Sequence, residues 1–135
     1  MEKRMKKEEI LKLIDSLHIS SDEFYVLSSS ALVIRGLFPD AGDLDIAITE
    51  KGLEQLKEKF NLRQKENDWY IVNDKVECIV TNITEDKVEK IGDYYLQSLD
   101  NYFEYLQASN REKDKIRYEI VKKALEERKY IKVKK

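Results

Sequence analysis

The 135-residue chain reads as an α/β protein of the α+β kind, a small mixed sheet flanked by helices with two further helices toward the C-terminus. Three observations predict this. Apolar runs of strand length recur in the first two thirds of the chain. Segments with apolar residues three and four apart alternate with them. From Asp93 onward only the helical spacing continues.

The elements follow in order. Met5, Ile10, Leu13, Ile14 and Leu17 fall at helical spacings among Lys and Glu, so residues 5–17 form an amphipathic helix that ends near His18-Ile19-Ser20-Ser21. Phe24-Tyr25-Val26-Leu27 is short and continuously apolar, which suits a buried strand. Ser28-Ser29-Ser30 leads into Ala31-Leu32-Val33-Ile34-Arg35 and Gly36, a strand-to-helix turn with a serine N-cap and a glycine stop. The segment 37–42 contains the only proline, Pro39, and Gly42, and reads as a loop. Asp43-Leu44-Asp45-Ile46-Ala47-Ile48 alternates acid and aliphatic before turning apolar, a strand with both carboxylates on one face.

Leu53, Leu56 and Phe60 place a helix over 52–60. Trp69-Tyr70-Ile71-Val72 and Lys75-Val76-Glu77-Cys78-Ile79-Val80, separated by Asn73-Asp74, read as a hairpin with a two-residue turn. Leu96, Leu99, Phe103 and Leu106 form one helical stripe, and Ile116, Ile120, Val121, Ala124 and Leu125 another. Ser109-Asn110 separates them and offers the last helix an N-cap. The expected organisation is one domain over 1–135, with a core over about 22–92 and a C-terminal helical pair over about 93–128.

Charge is unevenly spread beneath a net value of -2. Residues 1–12 carry five basic and three acidic groups, residues 13–108 nine and nineteen, and residues 109–135 eleven and five. An acidic body with a basic tail argues against a uniformly basic nucleic-acid binder. No apolar run approaches the ~18 residues that cross a bilayer, and the basic start continues into amphipathic sequence, so the reading is a cytoplasmic protein with no membrane partner. One cysteine, Cys78, and one histidine, His18, leave zinc-finger, thiol-redox and Ser/His/Asp hydrolase chemistry without their parts.

Chemistry concentrates in the acids. Asp43 and Asp45 lie two apart on a strand, so their carboxylates project from one face about 7 Å apart along the backbone. Like charges repel unless a cation lies between them, and magnesium prefers oxygen ligands, taking one or two carboxylates plus substrate phosphates. Glu77 interrupts an otherwise apolar strand and adds a third acid if that strand lies beside the first. Asp-x-Asp is also the ordinary pattern of a solvent-facing strand, and a lone Glu77 that of an edge strand.

In combination, Val26-Leu27-Ser28-Ser29-Ser30-Ala31-Leu32, then Asp43-Leu44-Asp45, then Glu77, resembles the nucleotidyltransferase superfamily, the polymerase-beta-like fold of its minimal, toxin-antitoxin-type members. The family pattern is an apolar strand, a Gly-Gly or Gly-Ser turn, a helix, Asp-hydrophobic-Asp about a dozen residues later, and a third acid on a later strand. Arg111-Glu112-Lys113-Asp114 also looks like the Arg-x-Lys-Asp segment that opens the last helix in several small members. The matches run from about residue 26 to 114. Serines here replace the glycines of the turn, and residues 39–42 lack the Arg and Thr often found before the acid pair.

The resemblance implies transfer of a nucleoside monophosphate from a nucleoside triphosphate to a hydroxyl of a protein, an RNA end or a small molecule, with release of pyrophosphate. Asp43 and Asp45 would hold two magnesium ions, one on the triphosphate and one lowering the pKa of the acceptor hydroxyl. Glu77 would ligate the second metal or act as general base. Ser28, Ser29 and Ser30 would hold the triphosphate at a helix start, their alternative being an ordinary serine cap. Arg111 and Lys113 would neutralise phosphate charge, their alternative being a solvated helix turn in which Asp114 pairs with Lys113 or Arg117.

Two other classes share these residues. One is a binding or antitoxin-like regulatory module that keeps the fold without turnover. The other is a helical interaction protein whose Asp43, Asp45 and Glu77 do not converge. Tyr94, Tyr95, Tyr102, Phe103 and Tyr105 read as core or interface aromatics, their alternative being to stack a base, His18 as a helix cap, Cys78 as a buried thiol and residues 129–135 as a solvated tail.

Overall fold

A computed structural model of the protein describes residues 4–66 and 68–134, with side chains through Arg128. The chain divides into two compact units, Met1–Gln97 and Ser98–Lys135. Among the described residues the first holds a seven-stranded mixed sheet in the order β3-β4-β5-β2-β1-β7-β6. Its elements are α1 (Lys7–Leu17), β1 (Phe24–Val26), α2 (Ser28–Ile34), β2 (Leu44–Ile48), α3 (Glu50–Lys57), β3 (Arg63–Gln64), β4 (Trp69–Ile71), β5 (Val76–Val80), β6 (Val88–Ile91) and β7 (Tyr94–Gln97). The second unit contains α4 (Leu99–Ala108) and α5 (Glu112–Lys134). Among the described residues no helix is long and apolar enough to cross a membrane.

The sheet is mixed because β1 runs antiparallel to β2 but parallel to β7, while β2 runs parallel to β5. Side chains alternate across a pleated strand, so register decides which residues share a face. Val26 pairs with Ile46 and Leu96, and Ile46 with Cys78. That face is apolar and forms one core with Ile10, Ile14 and Leu17 of α1, Ala31 and Val33 of α2, and Leu53 and Leu56 of α3. The opposite face carries Tyr25, Asp45, Ala47, Glu77, Ile79, Trp69 and Ile71, linked by the pairs Tyr25 with Ala47, Asp45 with Glu77, Trp69 with Ile79 and Ile71 with Glu77.

Local chemistry sets the element ends. α1 ends on His18 in the left-handed conformation, its N–H donating to the Asp15 carbonyl. Gly36, at φ 81, terminates α2, as a residue without Cβ allows. Thr49 Oγ1 accepts from the Gly52 N–H at 3.1 Å and caps α3.

Several expectations are corrected. Residues 94–97 are strand β7, not helix: Tyr94-Tyr95-Leu96 has β-forming side chains, and pairing with β1 satisfies its backbone. Helix α4 starts only after Ser98, whose Oγ accepts from the Asn101 N–H at 3.1 Å. β6 joins β7 through the two-residue turn Gly92-Asp93, with Gly92 at φ 60. The β4–β5 connection has four residues, 72–75, not two: the Val72 N–H reaches the Val76 carbonyl at 2.9 Å, and Asn73 Oδ1 accepts from the N–H groups of Lys75 and Val76. α1 begins at Lys7 because Met5 is held in a bridge to Ala41.

In the second unit, Tyr102, Leu106 and Val121 are buried, and the Phe103 ring stacks on Tyr118 at 5.2 Å between centroids. The backbone of α5 continues to Lys134; the side chains of 129–134 and residue 135, on which the expectation of a solvated tail rests, lie outside the described residues.

Candidate acidic site

The acidic site is built on β2 and β5. Pro39 and Gly42 mark the loop that delivers the chain to β2, and the Leu44 N–H donates to the Lys75 carbonyl at 2.7 Å, locking the start of β2 to the start of β5. Asp43 precedes the strand and is exposed; Asp45 and Glu77 are half-buried register partners. One carboxylate oxygen from each of Asp43, Asp45 and Glu77 lies within 4.8 Å of the other two. The convergence left open by the sequence is therefore present.

The donor set fits magnesium. Three hard oxygen donors are available, and bonds of about 2.1 Å place octahedral ligand atoms roughly 3 to 4.2 Å apart, within small side-chain rotations of the present spacing. A cation already sits against the cluster: Lys65 Nζ is 2.8 Å from Glu77 Oε1. The hydrogen bond to Glu77 and then the Glu77 charge raise the Lys65 pKa above its ordinary value against the opposing effect of burial, with lesser help from the charges of Asp45 and Glu66. Asp45, Lys65, Glu66, Trp69 and Glu77 line a cleft of about 270 Å³. Trp69 is the only tryptophan of the chain.

The serine turn is joined to the acids through the backbone. Ser30 is buried and its Oγ donates to the Asp43 carbonyl at 2.7 Å, while the Leu27 N–H donates to the Asp45 carbonyl at 2.9 Å. Ser29 is buried in the first turn of α2. Ser28 adopts φ 53, the left-handed region that favours glycine, and its N–H donates to Gln97 Oε1 at 3.0 Å. No serine side chain caps α2; Leu27 occupies that position. The buried side chain of Arg35 donates to the Gln97 carbonyl at 2.9 Å and to Glu89 Oε1 at 3.1 Å, tying β6 and β7 to the C-terminal end of α2.

Arg111 and Lys113 belong to the second unit. There Asp114 is 1% exposed and accepts from Ser109 Oγ at 2.6 Å, Arg111 Nε at 2.7 Å and Arg117 Nη1 at 3.2 Å. Burial pushes the Asp114 carboxyl up, but the hydrogen bonds from Arg111 and Ser109, the Arg111 charge and the Arg117 bond together outweigh it and hold the pKa below its ordinary value. Arg111 thus closes an ion-pair hub at the start of α5, as the structural alternative anticipated for Arg117, and Lys113 is exposed.

Sequence reasoning missed Lys65, Trp69, Arg35 and Gln97. Lys65 sits in the charged run Arg63-Gln64-Lys65-Glu66, which has no periodicity to mark it, and its partner is 12 residues away. Cys78, one residue from Glu77, points into the core; burial, then the Glu77 charge, pushes its thiol up to about 11, which leaves it a poor nucleophile. His18 is exposed at the end of α1.

Set against protein-family models, curated proteins and solved structures, the chain matches none.

Proposed function

We propose that the protein is a magnesium-dependent nucleotidyltransferase of the polymerase-beta-like type, moving a nucleoside monophosphate from a nucleoside triphosphate to a hydroxyl of a protein, an RNA end or a small molecule. One observation carries this reading: Asp43, Asp45 and Glu77, from two non-consecutive segments, bring carboxylate oxygens within 4.8 Å of one another beside an open cleft. The apolar face sets the register that opposes Asp45 to Glu77, and like charges so placed gain from a cation held between them.

In the reaction, the acceptor oxygen attacks the α-phosphorus, the bond from that phosphorus to the bridging oxygen of the β-phosphate breaks, and pyrophosphate leaves with the bond electrons. Asp43, Asp45 and Glu77 would hold the magnesium, which supplies Lewis acidity for the phosphoryl oxygens and the acceptor. Glu77 would ligate the second metal or, in the alternative, act as general base toward the acceptor hydroxyl. Ser30 holds the Asp43 carbonyl, and Ser28 and Ser29, which open α2 one residue after β1, would hold the triphosphate.

The test is incubation with magnesium and labelled nucleoside triphosphates, comparing the wild type with Asp43→Ala/Asp45→Ala. Acceptor labelling and pyrophosphate release that survive in the double variant would remove the acids from the chemistry.

A second reading is a nucleotide-binding or antitoxin-like module without turnover. It is favoured by the engagement of the Ser28 N–H by Gln97, which leaves the turn closed on its own chain. Calorimetry showing nucleotide binding with no pyrophosphate release under any acceptor selects it.

A further inference from the structure

Resting on the reading of the three acids as a magnesium site, we propose that Lys65 is a resident counter-ion which Glu77 surrenders to the incoming triphosphate, so that metal and nucleotide bind cooperatively.

The two partners are held very differently. Glu77 lies on β5, which is paired on both sides, by β2 and by β4. Its carboxylate is fixed by an interior strand and is 27% exposed. Lys65 lies just past β3, a two-residue strand at the sheet edge, where its N–H donates to the Trp69 carbonyl at 2.8 Å. Its side chain is 55% exposed and reaches the cluster on a flexible four-carbon stem. An exposed lysine–carboxylate pair is worth little, so moving the ammonium is cheap and needs no backbone change.

The ammonium and a metal compete for one carboxylate. Nζ at 2.8 Å from Glu77 Oε1 takes one of that carboxylate's lone-pair directions, and a divalent ion on the same carboxylate would lie close enough to repel the ammonium. Metal arriving alone weakens the hold of Glu77 on the ammonium and, by taking Asp45 as well, leaves Glu66 as the remaining anion of the cleft. A triphosphate entering the same cleft offers another. Each ligand thereby removes a cost from the other, and the coupling is reciprocal. Trp69, in the same cleft, reports occupancy by its fluorescence.

The experiment is calorimetric titration of the full chain with manganese or magnesium, alone and with the α,β-methylene analogues of ATP, GTP, CTP and UTP in turn, with Trp69 fluorescence recorded in parallel. In the wild type, a productive nucleotide is expected to tighten metal binding by about fivefold, the low end of the range usual for coupled sites and the most that an exposed ion pair supplies. Lys65→Met should bind metal alone several-fold more tightly and lose most of that enhancement, whereas Lys65→Arg should retain it. Unchanged coupling in Lys65→Met, or weaker binding of metal alone, overturns the role of Lys65 while leaving the metal site standing. Absence of metal binding in the wild type and Lys65→Met alike overturns the site itself, and the role of Lys65 with it.

Discussion

Asp45 on β2 and Glu77 on β5 are direct partners across a parallel pair, so two carboxylates face each other on neighbouring strands 32 positions apart in sequence. Directly opposed like charges weaken a sheet by a few tenths to about 1 kcal/mol. Lys65 offsets part of this at Glu77. A divalent ion bound by the folded state alone offsets more.

Magnesium should therefore stabilise the fold. One folded-state site at a tenfold excess of free ion over Kd contributes about 1.4 kcal/mol. Thermal unfolding with and without magnesium should show a rise in Tm for the wild type and none for Asp43→Ala/Asp45→Ala. An equal rise in both would place the ion elsewhere.

Ser28 holds a left-handed conformation at φ 53 that costs a residue with a Cβ roughly 1 kcal/mol. Glycine adopts it freely but loses more entropy on folding, which returns part of the gain. Ser28→Gly should raise stability by about 0.5 kcal/mol in urea titration, and Ser28→Ala should not. A destabilised Ser28→Gly would mean that the hydroxyl, rather than the backbone, matters at this turn.

Gly52 has the opposite expectation to a solvent-facing helical glycine, where alanine stabilises by about 1 kcal/mol. A Cβ here would lie 2.5 Å from Ile48 Cγ1 and 3.0 Å from the Glu23 carbonyl oxygen. The contact with backbone cannot relax easily, so overpacking prevails. Gly52→Ala should cost about 1–3 kcal/mol, read as a lower urea midpoint. A stabilised variant would show that α3 shifts away from β2 at little cost.

Asp114 makes the helical unit acid-sensitive. Its folded pKa is held below the ordinary 3.8, so its contribution is complete above 3.8 and is lost as pH falls through the lower folded value. Asp114→Asn keeps the shape but not the charge opposite Arg111 and Arg117; losing one partner of such a buried hub costs about 3 kcal/mol. Helical circular dichroism against urea should show that loss at neutral pH, and the difference from wild type should close in strong acid. A difference independent of pH would assign the effect to packing instead of charge.

Much of the architecture was legible because it rests on short-range rules. The periodicities of Ile10, Ile14 and Leu17 and of Leu53 and Leu56 place α1 and α3, and the Asp-x-Asp alternation places β2, although Asp43 lies just ahead of the strand and only Asp45 within it. Where two periods overlap, the local rule fails. Leu96 and Leu99 are three apart, as on a helix, yet Leu96 belongs to β7 and Leu99 to α4, with the Ser98 cap between them. The strand-forming Tyr94-Tyr95 pair and the Gly92-Asp93 turn were the signals that pointed the other way.

The acidic site divides along the same line. Sequence by itself determined that Asp43 and Asp45 share a face and that Glu77 interrupts an apolar strand, because side-chain direction along one strand follows from its twofold period. Only the tertiary structure decided that β5 lies parallel to β2 in the register that sets Glu77 against Asp45, that Lys65 reaches across to Glu77, and that Ser30 fastens the turn to Asp43. These are contacts between segments distant along the chain. Their register is chosen by burial of the whole apolar face, Val26, Ile46, Cys78 and Leu96 together, and no local run of residues contains that information.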